Sequence, residues 1–169
     1  DFSAKLLGKL VEDVDLPIEV VRVVTRSDKK TGRKQIVTPS PVKILAQEKN
    51  IPVSDDLVDI DLAILFAYGE VVSKDLLTKP RYGFWNVHPS LLPNYRGPSP
   101  VAEPLLRDDK ETGVTIIKLD EELDHGPIIA QDKRYIFPLE RRDQLTDRLI
   151  DLGFDLLKIL LIKYVDDIS

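Results

Sequence analysis

Asn86 and His88 stand two residues apart in Asn86-Val87-His88-Pro89-Ser90-Leu91-Leu92-Pro93, and Asp124 lies in Leu119-Asp120-Glu121-Glu122-Leu123-Asp124-His125-Gly126. An amide, an imidazole and a carboxylate that meet in one cleft suit acyl transfer. The amide donates to a developing oxyanion, the imidazole stabilises it or moves a proton, and the carboxylate holds the imidazole charged. In a strand, period-two alternation points Asn86 and His88 to one face and Val87 to the other. Spacing alone does not bring Asp124 to that face. A plainer reading stands beside the catalytic one. His88 is then a strand-end histidine satisfied by backbone, Asn86 a turn former before Pro89, and Asp124 one more acid in a solvated loop. His88, His125 and Asp124 could in principle ligate a metal, but two histidines without cysteine are a poor ligand set, and no metal is expected.

Other catalytic frames are missing. Thr31-Gly32-Arg33-Lys34 lacks the first glycine of a phosphate loop. No serine sits in a nucleophile elbow. No Gly-x-Gly-x-x-Gly occurs, so a dinucleotide site is a poor reading.

The elements that must position these residues follow from pattern. Residues 3 to 13 read as a helix with Ser3 as its cap, and the β-branched run Ile18 to Thr25 as a buried strand. Residues 26 to 39 form a polar, basic loop. Pro41 opens a second helix capped by Ser40 and running to about Lys49. Asp61 to Ala67 reads as a central parallel strand, Ser73 to Thr78 as a short helix and Phe84 to His88 as a strand stopped by Pro89. Pro98 to Arg107 looks helical, with Pro104 expected to cost a hydrogen bond or bend the segment. Gly113 to Leu119 and Ile128 to Phe137 are strands. The closing helix, Gln144 to Tyr164, carries Leu145, Leu149, Leu152, Leu156 and Ile159 on one face. Strands alternating with helices predict an α/β domain, an open, mainly parallel, Rossmann-like sheet with helices on both faces. In such sheets ligands bind at the carboxyl ends of strands, which is where the three residues would meet.

The chain of 169 residues is one domain by length, large enough to bury a core without disulfide or metal. It has no cysteine, which excludes disulfides and thiolate-held metals and fits a reducing cytosol. A net charge of -5 argues against generic nucleic-acid binding. The charge is uneven, however: Arg22, Arg26, Lys29, Lys30, Arg33, Lys34 and Lys43 share a segment whose only acid is Asp28. Such a loop can still meet a phosphate backbone. No apolar run approaches the length of a membrane span.

Asn86 to Pro93, followed by Asn94-Tyr95-Arg96-Gly97 and a later Leu-Asp loop, resembles the folate-dependent formyltransferases. Within that superfamily the chain looks most like the N-terminal domain of the methionyl-tRNA formyltransferases. Thr38 to Lys43, Phe66 to Gly69, Tyr95 to Val101 and Glu111 to Thr115 carry this closer likeness. The resemblance implies transfer of a formyl group from 10-formyltetrahydrofolate to the amino group of methionyl-tRNA. Asn86 and protonated His88 would stabilise the oxyanion, and Asp124 would keep His88 charged. Folate would lie against Gly69, Glu70, Val71 and Val72, against Ser90, Leu91, Leu92, Pro93 and Thr115, and against Asp120, Glu121, Glu122 and Leu123. Arg33, Lys34, Arg96 and Gly97 would serve the acceptor. The implied partners are folate and charged tRNA, with no membrane and no protein partner, in the cytoplasm.

Against the family pattern, the opening strand with its Gly-Thr turn and the C-terminal barrel domain are absent from these residues, and Ile51 to Asp61 is short. A strand upstream of Asp1 is therefore expected. An amino sugar nucleotide or other small amine is the alternative acceptor, and a non-catalytic folate- or RNA-binding remnant the second alternative.

Overall fold

Phe84–His88 is buried at all five positions, as a strand must be when its neighbours and a helix cover it. The computed structural model describes residues 2–31, 35–57, 59–68 and 72–168. In chain order they form α1 (Phe2–Glu12), β1 (Lys29–Thr31), β2 (Ile36–Thr38), α2 (Pro41–Glu48), β3 (Ala63–Leu65) and α3 (Lys74–Leu77). β4 (Phe84–His88), α4 (Ala102–Leu106), β5 (Glu111–Lys118), β6 (Ile128–Tyr135) and α5 (Arg142–Ile168) follow. The chain divides into two compact units, Asp1–Asp56 and Leu57–Ser169.

The second unit carries a sheet of order β3-β4-β5-β6. β3 runs parallel to β4, whereas β4 with β5 and β5 with β6 are antiparallel. The class is the expected α/β, but the strand directions are mixed. β5 is buried at its six inner positions, and an apolar run reports burial on both faces without reporting direction. β3, expected at the centre, lies at one end of that order among the described residues.

α5 covers one face. Leu145, Leu149, Leu152, Leu157 and Leu161 are buried, while Ile159 is 64% exposed. The expected Leu156–Ile159 continuation kept a seven-residue repeat, and a 3.6-residue helix drifts away from such a repeat. The buried stripe accordingly moves to Leu157 and Leu161. Gly153 lets the helix approach closely: a Cβ there would lie 2.9 Å from Val87 Cγ1 and 3.6 Å from Val114 Cγ1. Since Val87 faces α5, alternation sends Asn86 and His88 to the opposite face.

Pro104 costs less than expected. α4 begins at Ala102, so Pro104 falls in its first turn, where N–H groups have no intrahelical acceptor. Pro98 to Val101 lie outside that helix.

In the first unit, α1 and α2 enclose a small core of Leu7, Val23, Ala46 and Ile51. Ser40 caps α2, its Oγ accepting from the Lys43 N–H at 3.3 Å, with Pro41 at the first helical position. Ser3 lies inside α1 rather than capping it. Ile18 to Thr25 makes one parallel bridge, Val23 with Val53, instead of a full strand. Val23 N–H donates to the Pro52 carbonyl at 2.9 Å, and Pro52 has no N–H with which to extend the ladder. The expected basic loop contains a hairpin, with Lys29 opposite Thr38 and Thr31 opposite Ile36.

Candidate active site

The three residues singled out by type do meet. Asn86 Nδ2 donates to Asp124 Oδ1 at 3.0 Å, and His88 Nδ1 lies 3.6 Å from the same oxygen. All three are buried, at 7%, 5% and 6% exposure, so each polar atom there needs a partner. His88 Nε2 finds one in the Tyr95 carbonyl at 2.9 Å. Both ring nitrogens therefore face oxygens, Nε2 at hydrogen-bond distance and Nδ1 beyond it.

Asp124 is held from several directions. The Gly97 N–H donates to Oδ2 at 2.9 Å, and Arg96 Nε donates to the Asp124 carbonyl at 3.1 Å. Of the two residues expected to serve the acceptor, Gly97 thus anchors the Asp124 carboxylate and Arg96 its main chain. The loop can deliver Asp124 because Gly126 allows close passage. A Cβ at Gly126 would fall 1.8 Å from the Lys118 carbonyl oxygen, which only glycine avoids.

Ser90 to Pro93 pass over the end of β4 and are tied to β5 and β6. Thr115, directly opposite His88 in the ladder, donates from Oγ1 to the Ser90 carbonyl at 2.7 Å and accepts the Leu92 N–H at 3.1 Å. Gln131 Nε2 donates both to Thr115 Oγ1 at 2.7 Å and to the Leu92 carbonyl at 3.0 Å. Ser90 Oγ donates to the Asn94 carbonyl at 2.7 Å. Thr115 and Ser90 are fully buried, so their hydroxyls shape the loop from behind. Leu92 is buried, Leu91 half-buried and Pro93 exposed.

Among the other expected folate residues, Asp120 accepts the Glu122 N–H at 2.9 Å, and its second oxygen lies 3.0 Å from His125 Nδ1. The His125 contact holds the Asp120 carboxyl below its usual range, and the Asp120 contact pushes the His125 ring up. Glu121 pairs with Lys74, and Leu123 is 67% exposed. Val72 is half-buried. Gly69, Glu70 and Val71 lie outside the described residues, as do Arg33 and Lys34.

Two participants escape a reading by residue type. Tyr95 contributes a backbone carbonyl, which no side chain announces. Gln131 acts across the strand pair, a relation visible only once the β5–β6 register is known. Tyr95 and Arg96 also line a cavity of about 780 Å³ with Ser99, Glu103, Arg107 and Asp109, within the usual range for small-molecule sites. Among the described residues no group of three or more His, Cys, Asp or Glu is arranged to hold a metal ion. No described helix is long and apolar enough to cross a membrane.

A mixed α/β sheet with an amide, an imidazole and a carboxylate buried at the end of one strand defines a candidate acyl-transfer site. The chain belongs to the formyl transferase family, whose model matches residues 3–160. It is 42% identical over 159 residues to a methionyl-tRNA formyltransferase of Chloroflexus aurantiacus, covering 86% of this chain and 51% of that protein. To the methionyl-tRNA formyltransferase of Thermotoga maritima it is 38% identical over 182 residues, covering all of this chain and 56% of the relative. The chain thus spans about half the length of the curated relatives it matches. Among solved structures, phosphoribosylglycinamide formyltransferase from Bacillus halodurans superposes with a TM-score of 0.81 at 25% identity, covering 99% of this chain and 93% of that one. Glycinamide ribonucleotide transformylase 1 from Geobacillus kaustophilus gives 0.75 at 26%, with 94% of each chain covered.

Proposed function

We propose that this chain is a catalytic domain that moves a formyl group from 10-formyltetrahydrofolate to the amino group of methionyl-tRNA. The observation that carries the reading is the buried contact of Asn86 and His88 with one oxygen of Asp124. The acceptor nitrogen bonds to the formyl carbon, the bond from that carbon to the folate nitrogen breaks, and the amine proton passes to the departing nitrogen. Asn86 has a second N–H to offer the oxyanion formed between these steps. His88, opposite Asp124 and the Tyr95 carbonyl, is placed to supply positive charge beside it. Asp124 balances that charge and is the nearest base for the amine proton.

The folate would lie against the Ser90 to Pro93 loop and the Asp120 to Asp124 loop. Gly69 to Val72 is assigned to the pterin, and Arg33 and Lys34 to the tRNA, on the family resemblance alone. The 38–42% identity to methionyl-tRNA formyltransferases favours the tRNA acceptor. The close fold likeness to glycinamide ribonucleotide enzymes supports a small amine as the second reading. The cytoplasm, where tRNA is charged, is the compartment that goes with the first.

Release of tetrahydrofolate from 10-formyltetrahydrofolate separates these readings. The first predicts release only with charged methionyl-tRNA. Release driven by glycinamide ribonucleotide or an amino sugar nucleotide, and not by the tRNA, would overturn it.

A further inference from the structure

Tyr95 sits in a conformation that an L-residue does not adopt without support. Its φ is +58°, in the left-handed region, where a side chain with a Cβ is strained. The carbonyl that this conformation presents is the one that accepts His88 Nε2 at 2.9 Å. Neighbouring residues fix the peptide on both sides: the Asn94 carbonyl accepts Ser90 Oγ, and the Gly97 N–H is bound to Asp124. The side chain is fixed as well. The Tyr95 hydroxyl donates to Asp109 Oδ2, and the Arg107 guanidinium lies over the ring, 5.5 Å from its centre. Donation to Asp109 holds the phenol proton in place, pushing Tyr95 above the ordinary tyrosine range. Asp109 is itself anchored, its N–H donating to the Pro104 carbonyl at 2.9 Å.

We propose that Tyr95 and Asp109 form a positioning brace for His88: the phenol–carboxylate contact locks the left-handed Tyr95 peptide so that its carbonyl stays on Nε2 and keeps Nδ1 turned to Asp124. Neither residue is a catalytic residue. The brace acts through the main chain, by fixing the rotamer of the ring and with it the nitrogen that faces Asp124. Without the phenol anchor the peptide can relax toward right-handed φ, and its carbonyl leaves the ring.

The consequence for turnover rests on the formyl-transfer reading above, whereas the consequence for His88 does not. The chain has two histidines, so the ring-nitrogen resonances of His88 and His125 can be told apart with a His125→Gln variant. Tyr95→Phe removes one hydroxyl and keeps the ring under Arg107. It is expected to move the His88 ring-nitrogen resonances and leave those of His125 in place. It should lower kcat about 10- to 100-fold with KM for the folate unchanged, the usual size of a small misplacement in an active site. Asp109→Ala should reproduce both effects. Asp109→Asn, which retains an acceptor for the phenol, should restore most of each, and this pair decides the matter if Tyr95→Phe does not fold. His88 resonances that coincide with wild type in Tyr95→Phe and Asp109→Ala would overturn the brace, whatever happens to turnover. Moved resonances in a chain that transfers no formyl group would uphold the brace and refute the function.

Discussion

The Ser90–Gly97 loop and the Lys29–Thr38 hairpin are both rich in polar groups, yet they are built in opposite ways. In the loop a chain of polar atoms is spent inward: Ser90 on Asn94, Leu92 on Thr115 and Gln131, the Tyr95 carbonyl on His88, Gly97 on Asp124. The hairpin turns even its apolar residues outward, with Ile36 60% and Val37 58% exposed. Two cations of the basic segment are settled within the first unit, Lys43 on Asp28 at 2.9 Å and Arg22 on Asp56. Arg26, Lys29 and Lys30 are exposed. Chemistry needs groups held before the substrate arrives, so the loop is braced from within. An exposed surface of cations and β-branched residues suits a partner that supplies its own opposite charge.

The largest effect that would break this contrast belongs to the trio. Asn86→Ala removes an oxyanion donor and should lower kcat by ~10²–10³ while the thermal midpoint changes little. Turnover close to wild type in a folded Asn86→Ala protein would return Asn86 to the role of a turn former. The hairpin should behave differently. On the proposed tRNA reading, Lys29→Ala and Lys30→Ala together should leave folate binding alone and weaken tRNA binding, reducing the slope of log K against log salt by roughly 1 per cation lost. An unchanged slope in titrations across moderate salt would remove the hairpin from the tRNA contact.

The smallest effect lies at the edge of the site. His125 is raised by Asp120, so its part of the stabilisation is present below the ordinary imidazole value of 6.5 and fades as pH rises through the raised value. Asp120 is lowered by His125, so its part is present above the ordinary 3.8 and fades as pH falls through the lowered value. The pair therefore contributes between those limits. His125→Gln should lower the urea midpoint near pH ~5.5 and leave it unchanged near ~8.5, a small shift because both side chains are exposed. Equal loss at both pH values would assign the effect to packing.

The same contrast explains what could be read beforehand. β4 was legible to the residue, because Phe84, Trp85 and Val87 form a short strand-like segment ended by Pro89, and alternation put Asn86 and His88 on one face. Asp124 was legible by type, but its meeting with Asn86 and His88 was not, since its approach depends on Gly126 and on an antiparallel β5–β6 pair that periodicity does not disclose. The brace on His88 was not legible at all, because it passes through a carbonyl and a left-handed peptide. Pro104 misled because its cost depends on where α4 begins, and composition does not state a helix boundary. The hairpin was missed although Ile36-Val37-Thr38 is β-branched, because cations and glycine around it read as loop.

The most direct test of the trio is single-turnover formyl transfer by Asp124→Asn, measured beside its affinity for 10-formyltetrahydrofolate. The amide keeps the shape of the carboxylate and removes its charge. If Asp124 balances His88 and takes the amine proton, the rate falls by ~10² or more with folate affinity within a few-fold of wild type. A rate near wild type, or a loss of affinity that accounts for the whole loss of rate, would contradict the assignment.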